Sequence, residues 1–182
     1  MKKIKLLLSI SLVIIIWIVA GFIVYDKYQA CRLNKITSDA ITEFEKDPYN
    51  AMLYNELVLG IIYIPKLDLK YPIIKYKDDA TLNLAVNHYT GPNLNTKGNV
   101  VLIAHNNRNG TLFNKLNDFK MDYQVLIKDR YTIKTYYPKA IYITSPYNQS
   151  MLKEVDDYHL TLITCTNNGK KRRIIELSSD SS

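Results

Sequence analysis

The sequence has few residues that could carry nucleophilic chemistry or form cross-links. It contains two cysteines, Cys31 and Cys165, and three histidines in 182 residues. Two cysteines allow at most one disulfide bond, which excludes a disulfide-rich scaffold. An extracytoplasmic chain could pair them, but Cys31 follows an apolar run and Cys165 ends a predicted strand near the C-terminus. We therefore expect both thiols to be free.

Charge is absent from residues 6–25, whose sequence is LLLSISLVIIIWIVAGFIVY. Twenty uncharged, mostly apolar residues are enough to cross a bilayer as a helix. The run is longer than the apolar core of a typical signal peptide, and no clear cleavage site follows it, which favours an uncleaved anchor. Lys2, Lys3 and Lys5 precede it, so the positive-inside tendency predicts a cytoplasmic segment 1–5 and an extracellular remainder.

A strong charge imbalance is also lacking outside the anchor. The formal net charge is +7, and without the three N-terminal lysines 21 basic residues remain against 17 acidic ones, a net charge of +4. This mild excess gives no indication of a nucleic-acid partner. The sequence has no internal repeat and no low-complexity stretch except Ser178–Ser182, which is expected to fray, with residues 179–182 assigned as the tail.

The remainder divides into a helical part and a β-rich part. Residues 26–59 are predicted as a helical stalk broken at Asp47-Pro48, with a second helix over Tyr49–Leu59 that ends at Gly60. Residues 60–178 are rich in Ile, Val, Tyr and Thr and predict an all-β barrel or sandwich. The predicted strands are Ile61–Ile64, Tyr71–Ile74, Val100–Ala104, Val125–Ile127, Tyr131–Tyr136, Ala140–Thr144, Leu160–Cys165 and Ile174–Leu177. Short helices are predicted at Asp79–Val86, Thr111–Asn117 and Gln149–Val155.

Cys165 is the candidate nucleophile. It ends the predicted strand Thr161-Leu162-Ile163-Thr164-Cys165, and Asn167-Asn168-Gly169 predicts a turn that returns Arg172 beside it. A thiolate at neutral pH needs such a positive charge nearby. The alternative is an ordinary buried cysteine, which is the commoner state of a lone thiol.

His105 is the candidate proton carrier. It follows the apolar strand Val100–Ala104 and precedes a polar loop, Asn106-Asn107-Arg108-Asn109-Gly110. A histidine at a strand end next to a loop is well placed for proton transfer. The alternative is a structural histidine bonded to loop carbonyls. His88 also precedes a loop, whereas His159 is interpreted as an ordinary surface residue.

These segments resemble the sortases, the membrane-anchored cysteine transpeptidases of Gram-positive bacteria. TLITC with a following arginine is similar to the active-site signature of the family. The segment from Gly98-Asn99 through His105 to NGTLFNKL is similar to its histidine strand and following helix, and Ile64-Pro65-Lys66-Leu67 to its first strands. The resemblance covers about residues 58–177.

The resemblance implies an eight-stranded β-barrel in which Cys165, His105 and Arg172 converge on a groove. It also implies a transpeptidase that cleaves an LPxTG- or NPQTN-like sorting signal of surface proteins or pilins through a thioacyl enzyme. The acyl group would pass to an amine of a peptidoglycan precursor or a pilin. The alternatives are a cysteine peptidase that releases the peptide to water and a non-enzymatic, membrane-anchored β-domain.

The sequence departs from the family pattern in two places and leaves two assignments open. Ala104 stands where the family usually has glycine before the histidine, and Asn106 stands where an arginine commonly follows it. The active-site arginine is either Arg172 or Arg173, and only one of them can point at Cys165 because adjacent residues of a strand face opposite ways. We prefer Arg172, because it fits the pattern of an arginine, any residue and two apolar residues. Class B is favoured among the sortase classes, from the helical stretch 32–59 and the loop after His105, although the short segment 145–159 fits class A or D better.

No cofactor is expected. The three acidic residues Glu154, Asp156 and Asp157 could form a calcium site, as in some family members. Acidic residues clustered in a loop are more often simply solvated.

Overall fold

The structure, a computed structural model, describes residues 2–166 and 169–179, with only the backbone at residues 2–3 and 5–8. Asn167, Asn168 and residues 180–182, which belong to the predicted turn and tail, lie outside the described residues. In this part of the chain the helices are α1 (Lys2–Lys46) and α2 (Asp79–Leu82), with 3₁₀ helices at Pro65–Leu67, Phe113–Asp118 and Ser150–Leu152. The strands are β1 (Met52–Leu53), β2 (Glu56–Ile64), β3 (Leu69–Lys75), β4 (Val86–Thr90), β5 (Gly98–Ile103), β6 (Val125–Asp129), β7 (Ile133–Thr144), β8 (Tyr158–Thr166) and β9 (Lys171–Ser178).

Eight of the strands close into a barrel. Their order is β2-β3-β4-β5-β8-β9-β7-β6, and β2 pairs with β6 to complete the ring. The β3–β4 and β5–β8 pairs are parallel and the other pairs are antiparallel. The predicted eight-stranded β-barrel is therefore confirmed. Its interior is filled by aliphatic and aromatic side chains, among them Ile62, Leu102, Phe113, Tyr136 and Leu162.

The barrel has the predicted number of strands, but the assignment differs in two places. Two of the predicted strands form a single strand, and one barrel strand was not predicted. The predicted strands 131–136 and 140–144 merge into the single strand β7, which begins at Ile133 and pairs first with β6 and then with β9. Pro138, which lacks an N–H donor, lies at the irregularity in this ladder, where a strand tolerates proline. The barrel strand that was not predicted is β4, in which the polar residues Asn87 and His88 interrupt any apolar strand pattern. The helix predicted over Asp79–Val86 ends at Leu82, and Val86 begins this strand.

The predicted helix Tyr49–Leu59 is wrong. Met52–Leu53 and Glu56–Ile64 are the strands β1 and β2, which form a hairpin. Gly60 suggested a helix end, but it lies inside β2, where a Cβ atom would collide with the carbonyl oxygen of Lys128. Glycine is required at this position because the backbone of Lys128 in the neighbouring strand approaches closely. The predicted break at Asp47-Pro48 is confirmed, because α1 ends at Lys46.

The helix α1 joins the apolar run to the barrel without interruption. It is the one described helix that is long and apolar enough to cross a membrane, and the residues of its apolar window are unburied. This suggests a membrane anchor. The C-terminal turns of α1 pack on β2 and β3, where Ile41 and Phe44 are buried against Val58, Ile61 and Ile74. The anchor and the domain are therefore connected by a continuous helix rather than a jointed stalk.

Ser178 and Ser179, where the predicted frayed tail begins, belong to the barrel instead. Ser178 is the last residue of β9, and the Ser179 N–H donates to the carbonyl oxygen of Tyr158 at 3.1 Å. Ser179 is buried. The last strand and its first following residue are thus part of the barrel.

Candidate active site

Cys165 lies on the outer face of the barrel near the end of β8. Side chains alternate along a strand, so Leu160 and Leu162 fill the barrel core while Ile163 and Cys165 point outward. Cys165 is half-buried and forms no disulfide bond, and Cys31 on α1 is exposed and also free. The thiol is therefore neither a core residue nor a cross-link.

Arg172 is the register partner of Cys165 across the β8–β9 pair. Directly opposite residues of an antiparallel pair lie on the same face, so the guanidinium and the thiol share one surface. Arg172 Nη1 donates to the carbonyl oxygens of Gly169, at 2.9 Å, and Lys171, at 3.3 Å. These bonds hold the side chain against the turn between the two strands.

Arg173 takes the opposite face. It pairs with Thr164 and Ile143 in the neighbouring strands, and its Nε atom is buried without a hydrogen-bond partner. Arg172 lines the cavity at Cys165 and Arg173 does not. The geometry thus favours Arg172 as the arginine that acts with Cys165.

His105 reaches the same site from the other side of β8. The parallel pair β5–β8 matches Ile103 with Ile163, and His105 follows β5 by two residues. The Ala104 N–H donates to the Ile163 carbonyl at 3.3 Å, and Thr164 Oγ1 donates to the Ala104 carbonyl at 2.9 Å. These bonds carry the register one residue beyond the strand, so His105 emerges next to Cys165.

Asn106 is a site residue that sequence reasoning did not assign. Its Nδ2 donates to the carbonyl oxygen of Cys165 at 2.8 Å, and its Oδ1 accepts from Asn114 Nδ2 at 2.8 Å. The side chain therefore joins the loop after His105 to the end of β8. The signal in the sequence was the departure itself, an amide where the family commonly has arginine, but its partners are 8 and 59 residues away and follow no local pattern.

A groove of about 370 Å³ contains Cys165, His105 and Arg172. Its walls come from α2 with the ends of β3 and β4, and from the loop between β7 and β8. Most of the wall residues are apolar or aromatic: Tyr76, Leu82, Tyr89, Ile103, Ala104, Pro146, Met151, Leu152 and Ile163. The polar ones are Asp79, Asn148, Gln149 and Thr164. Such a groove suits an extended peptide with apolar residues near the bond that reacts.

The β7–β8 loop is tied to the barrel by a buried amide. Asn99 Nδ2 donates to the carbonyl oxygens of Met151, at 2.8 Å, and Lys153, at 3.1 Å. Asn99 Oδ1 accepts from Thr161 Oγ1 at 2.8 Å. The loop wall of the groove is therefore held by β5 and β8, the two strands that precede His105 and carry Cys165.

The other two histidines lie away from the groove. His88 lines a separate cavity with Leu94 and Tyr131, and burial is the main cause that lowers its pKa, with a smaller contribution from Lys75. His159 was expected at the surface but is half-buried, and burial lowers its pKa as well.

The acidic residues considered for calcium are exposed in the loop before β8. Among the residues that the structure describes, no three His, Cys, Asp or Glu side chains are placed to hold a metal ion. The expectation of no cofactor stays a prediction.

The chain is similar to known sortases in both sequence and structure. The sortase domain family model matches residues 62–179. Sortase A of Bacillus anthracis is 22% identical over 188 positions, which cover 89% of this chain and 90% of that protein. The lid mutant of sortase A from Corynebacterium diphtheriae is 27% identical, with a TM-score of 0.65 over 76% of this chain and 77% of that one.

Two further structures carry other class labels. The pilus-related sortase C of Group B Streptococcus is 26% identical, with a TM-score of 0.62 over 68% of each chain. The sortase D5 transpeptidase of Clostridium perfringens is 20% identical, with a TM-score of 0.69 over 81% of this chain and 99% of that one, and supports the fold alone. The predicted class B character stays a prediction, and one of its two grounds, a helical stretch to residue 59, is wrong beyond Lys46. The family model covers about two thirds of the sequence, and the chain belongs to the sortase family, the family of cysteine transpeptidases.

Proposed function

We propose that this chain is a membrane-anchored transpeptidase in which Cys165 is the nucleophile, His105 the proton carrier and Arg172 the group that stabilises developing negative charge. Its donor substrate is a sorting-signal peptide of the LPxTG or NPQTN kind on a surface protein or pilin. The acceptor is an amine of peptidoglycan or of a pilin.

One observation carries the proposal. Cys165 lies directly opposite Arg172 in the β8–β9 ladder, and His105 follows the strand on the other side of β8. A thiol, a guanidinium and an imidazole thus line one groove. The positive charge of Arg172 on the same face favours the anionic sulfur that attack requires.

In the first half-reaction the Cys165 thiolate attacks the carbonyl carbon of the scissile peptide bond. An S–C bond forms, and the carbonyl electrons move to oxygen, where Arg172 stabilises the negative charge. When the tetrahedral species collapses, the C–N bond breaks and His105 donates its proton to the leaving amine. The product is a thioacyl enzyme.

In the second half-reaction an acceptor amine attacks the thioester carbonyl. A new C–N bond forms, the S–C bond breaks, and the amine gives up a proton to His105. Cys165 returns as the thiolate and His105 returns in its protonated form. No external oxidant, reductant or energy source is needed, because one amide bond replaces another.

The groove walls support a peptide with apolar residues before the scissile bond. Leu82, Ile163 and Met151 contribute apolar side chains to the groove that contains the thiol. The aromatic pair Tyr76 and Tyr89, whose ring centroids are 5.2 Å apart, borders one end. Leucine and proline of an LPxTG-like signal, or the proline of an NPQTN-like signal, are of the right chemistry for such walls.

The test uses the full chain in detergent and two fluorogenic peptides, one with each motif, with and without triglycine as the amine. We expect one peptide to be cleaved, with an amide-linked triglycine product when the amine is present. Cys165→Ala should abolish both reactions, whereas Cys31→Ala, the matched control, should keep them. Full activity in Cys165→Ala would overturn the proposal, and hydrolysis alone in the presence of amine would favour the peptidase alternative.

The non-enzymatic alternative has its own test. In the folded Cys31→Ala chain, iodoacetamide should alkylate Cys165 because the thiol is half-buried and borders an open groove. Labelling that occurs only after denaturation would favour a structural cysteine. Peptide mass spectrometry of the labelled chain measures the result.

The proposed location is the cell membrane, with segment 1–5 in the cytoplasm and the barrel outside. This is supported by the apolar helix and by the lysines that precede it. Protease treatment of intact cells should digest the barrel while leaving cytoplasmic proteins intact.

A further inference from the structure

A second cavity lies between α1 and the loop that follows His105. Its volume is about 550 Å³, and it is separate from the groove at Cys165. The α1 side contributes Gln29, Arg32 and Ile36 among others, which recur at helical spacing and so form one face of the helix. The opposite side is the loop Asn107–Asn109, with Tyr54 and Leu84 completing the wall.

Two arginines face this cavity without a neutralising partner. Arg32 and Arg108 are both exposed, and the ion pairs found in the described residues are Lys70–Glu45 and Lys77–Glu56, which involve neither of them. Asp26 is the lining carboxylate. The cavity therefore offers two free guanidiniums, which bind phosphate oxygens well, and one acceptor for a hydroxyl group.

The loop that presents Arg108 is held in shape by its own hydrogen bonds. Asn107 Nδ2 donates to Thr111 Oγ1 at 2.9 Å, and Thr111 Oγ1 donates to Asn109 Oδ1 at 2.8 Å. The Gly110 N–H donates to the Asn107 carbonyl at 3.0 Å. The base of Arg108 is thus fixed relative to the cavity, which lowers the entropic cost of holding a ligand.

The height of the cavity matches the surface of a membrane. The apolar run ends at Tyr25, and Arg32 is seven residues further along the same unbroken helix. At about 1.5 Å per residue, Arg32 lies about 10 Å beyond the hydrocarbon boundary. The polar headgroup layer extends about 5–8 Å from that boundary, within reach of a long arginine side chain. This argument holds for either orientation of the anchor.

We propose that this cavity binds the headgroup of an anionic phospholipid. Arg32 and Arg108 donate hydrogen bonds to the phosphodiester. Asp26 accepts hydrogen bonds from headgroup hydroxyls, and Gln29 can donate to them or accept from them. The site is independent of the reaction proposed for Cys165. It adjoins the loop that begins at His105, so an occupied site secures that loop against the membrane surface.

The test is native mass spectrometry of the full chain released from dodecyl maltoside micelles that contain phosphatidylglycerol or phosphatidylcholine. The wild-type chain should retain phosphatidylglycerol in preference to phosphatidylcholine. The double variant Arg32→Gln/Arg108→Gln should lower the phosphatidylglycerol-bound fraction about tenfold or more. Arg32→Lys/Arg108→Lys keeps the charge and should keep most of the binding.

The matched control is Lys120→Gln/Lys139→Gln, which removes two exposed positive charges that do not line the cavity. It should bind as the wild type does. Wild-type retention in the Arg32/Arg108 glutamine variant, or an equal loss in the lysine control, would overturn the proposal. Displacement of the lipid by millimolar inorganic phosphate would also overturn it, because free phosphate would then be the ligand. No peptide is used, so failure here would leave the transpeptidase proposal standing.

Discussion

Two adjacent arginines in β9 differ in what they can do because side chains of a strand alternate between its faces. Arg172 shares the outer face with Cys165, while Arg173 turns to the face where its Nε atom is buried without a partner. One position in the strand therefore separates an arginine that lines the groove from one that does not.

We expect Arg172→Ala to reduce kcat/KM for peptide cleavage by about 100-fold or more, the usual effect of losing a group that stabilises an oxyanion. Arg172→Lys should recover part of the activity. Arg173→Ala is the matched control and should remain within about tenfold of wild type. Steady-state kinetics with the fluorogenic peptide measures all three, and an equal loss in both alanine variants would contradict the assignment.

Asn106 is expected to position His105 rather than to touch the substrate. Asn106→Ala removes the bond to the Cys165 carbonyl, worth about 1 kcal/mol, and frees the loop after His105. We predict a lower kcat with little change in the rate at which iodoacetamide alkylates Cys165. Asn50→Ala, which removes an exposed amide bonded to Asp47, serves as the control and should change neither quantity.

The two histidines outside the groove predict a loss of stability in mild acid. Burial lowers the folded-state pKa of His88 and of His159 below the ordinary value of 6.5. Unfolding then takes up protons, so their contribution to stability is complete above pH 6.5 and is lost as pH falls through the range just below it. The Tm of the full chain should drop between pH 7.5 and 5.5, and drop less in His88→Gln. A Tm that is constant over this range would contradict the prediction.

At the scale of elements, the local sequence pattern predicted a strand well where the residues on at least one face of that strand are apolar. β5 and β8 were predicted close to their observed bounds because Val100–Ile103 and Leu160–Ile163 are nearly continuous apolar runs. The polar strand β4 and the part of the β1–β2 hairpin before Ile61 were mistaken, because their strand character comes from pairing with neighbouring strands rather than from their own composition.

Gly60 lies in the β2–β6 pair that closes the barrel, so its substitution tests this closure. It pairs with Asp129 in β6, and an added methyl group would collide with the Lys128 carbonyl and lie 2.7 Å from Leu94 Cδ1. We expect Gly60→Ala to destabilise the chain by about 1–3 kcal/mol, the usual cost of overpacking. Gly21→Ala, where nothing lies within 4 Å, should be neutral. Thermal unfolding measures the difference, and equal melting temperatures would contradict it.

For the molecule as a whole, the decisive feature is that one unbroken helix contains both the apolar run and the residues that pack on the barrel. The N-terminal part of α1 is unburied and apolar, while Ala40, Ile41 and Phe44 are buried against the outer face of the barrel. The barrel therefore has a fixed attachment to the apolar helix that we propose as the membrane anchor.

This predicts different fates for two soluble fragments. Residues 26–182 keep the packed half of α1 and should fold stably. The fragment 47–182 lacks Ala40, Ile41 and Phe44, so Ile61 and Ile74 become exposed. It should be less stable by about 5 kcal/mol, because the apolar surface that these side chains bury is lost. Denaturant unfolding of both fragments measures this, and equal stabilities would show that the helix is only a tether.

The sequence by itself determined the apolar anchor, the β-rich class of the domain and the candidates Cys165 and His105. These follow from local properties: hydrophobic length, strand propensity, and motifs confined to a few residues. Only the tertiary structure decided that Arg172 shares a face with Cys165, that Asn106 joins the histidine loop to β8, and that α1 continues into the domain. Each of these depends on strand register or on packing between residues far apart in the chain. Contacts of this kind produce no periodic pattern in the sequence, so they cannot be predicted from it.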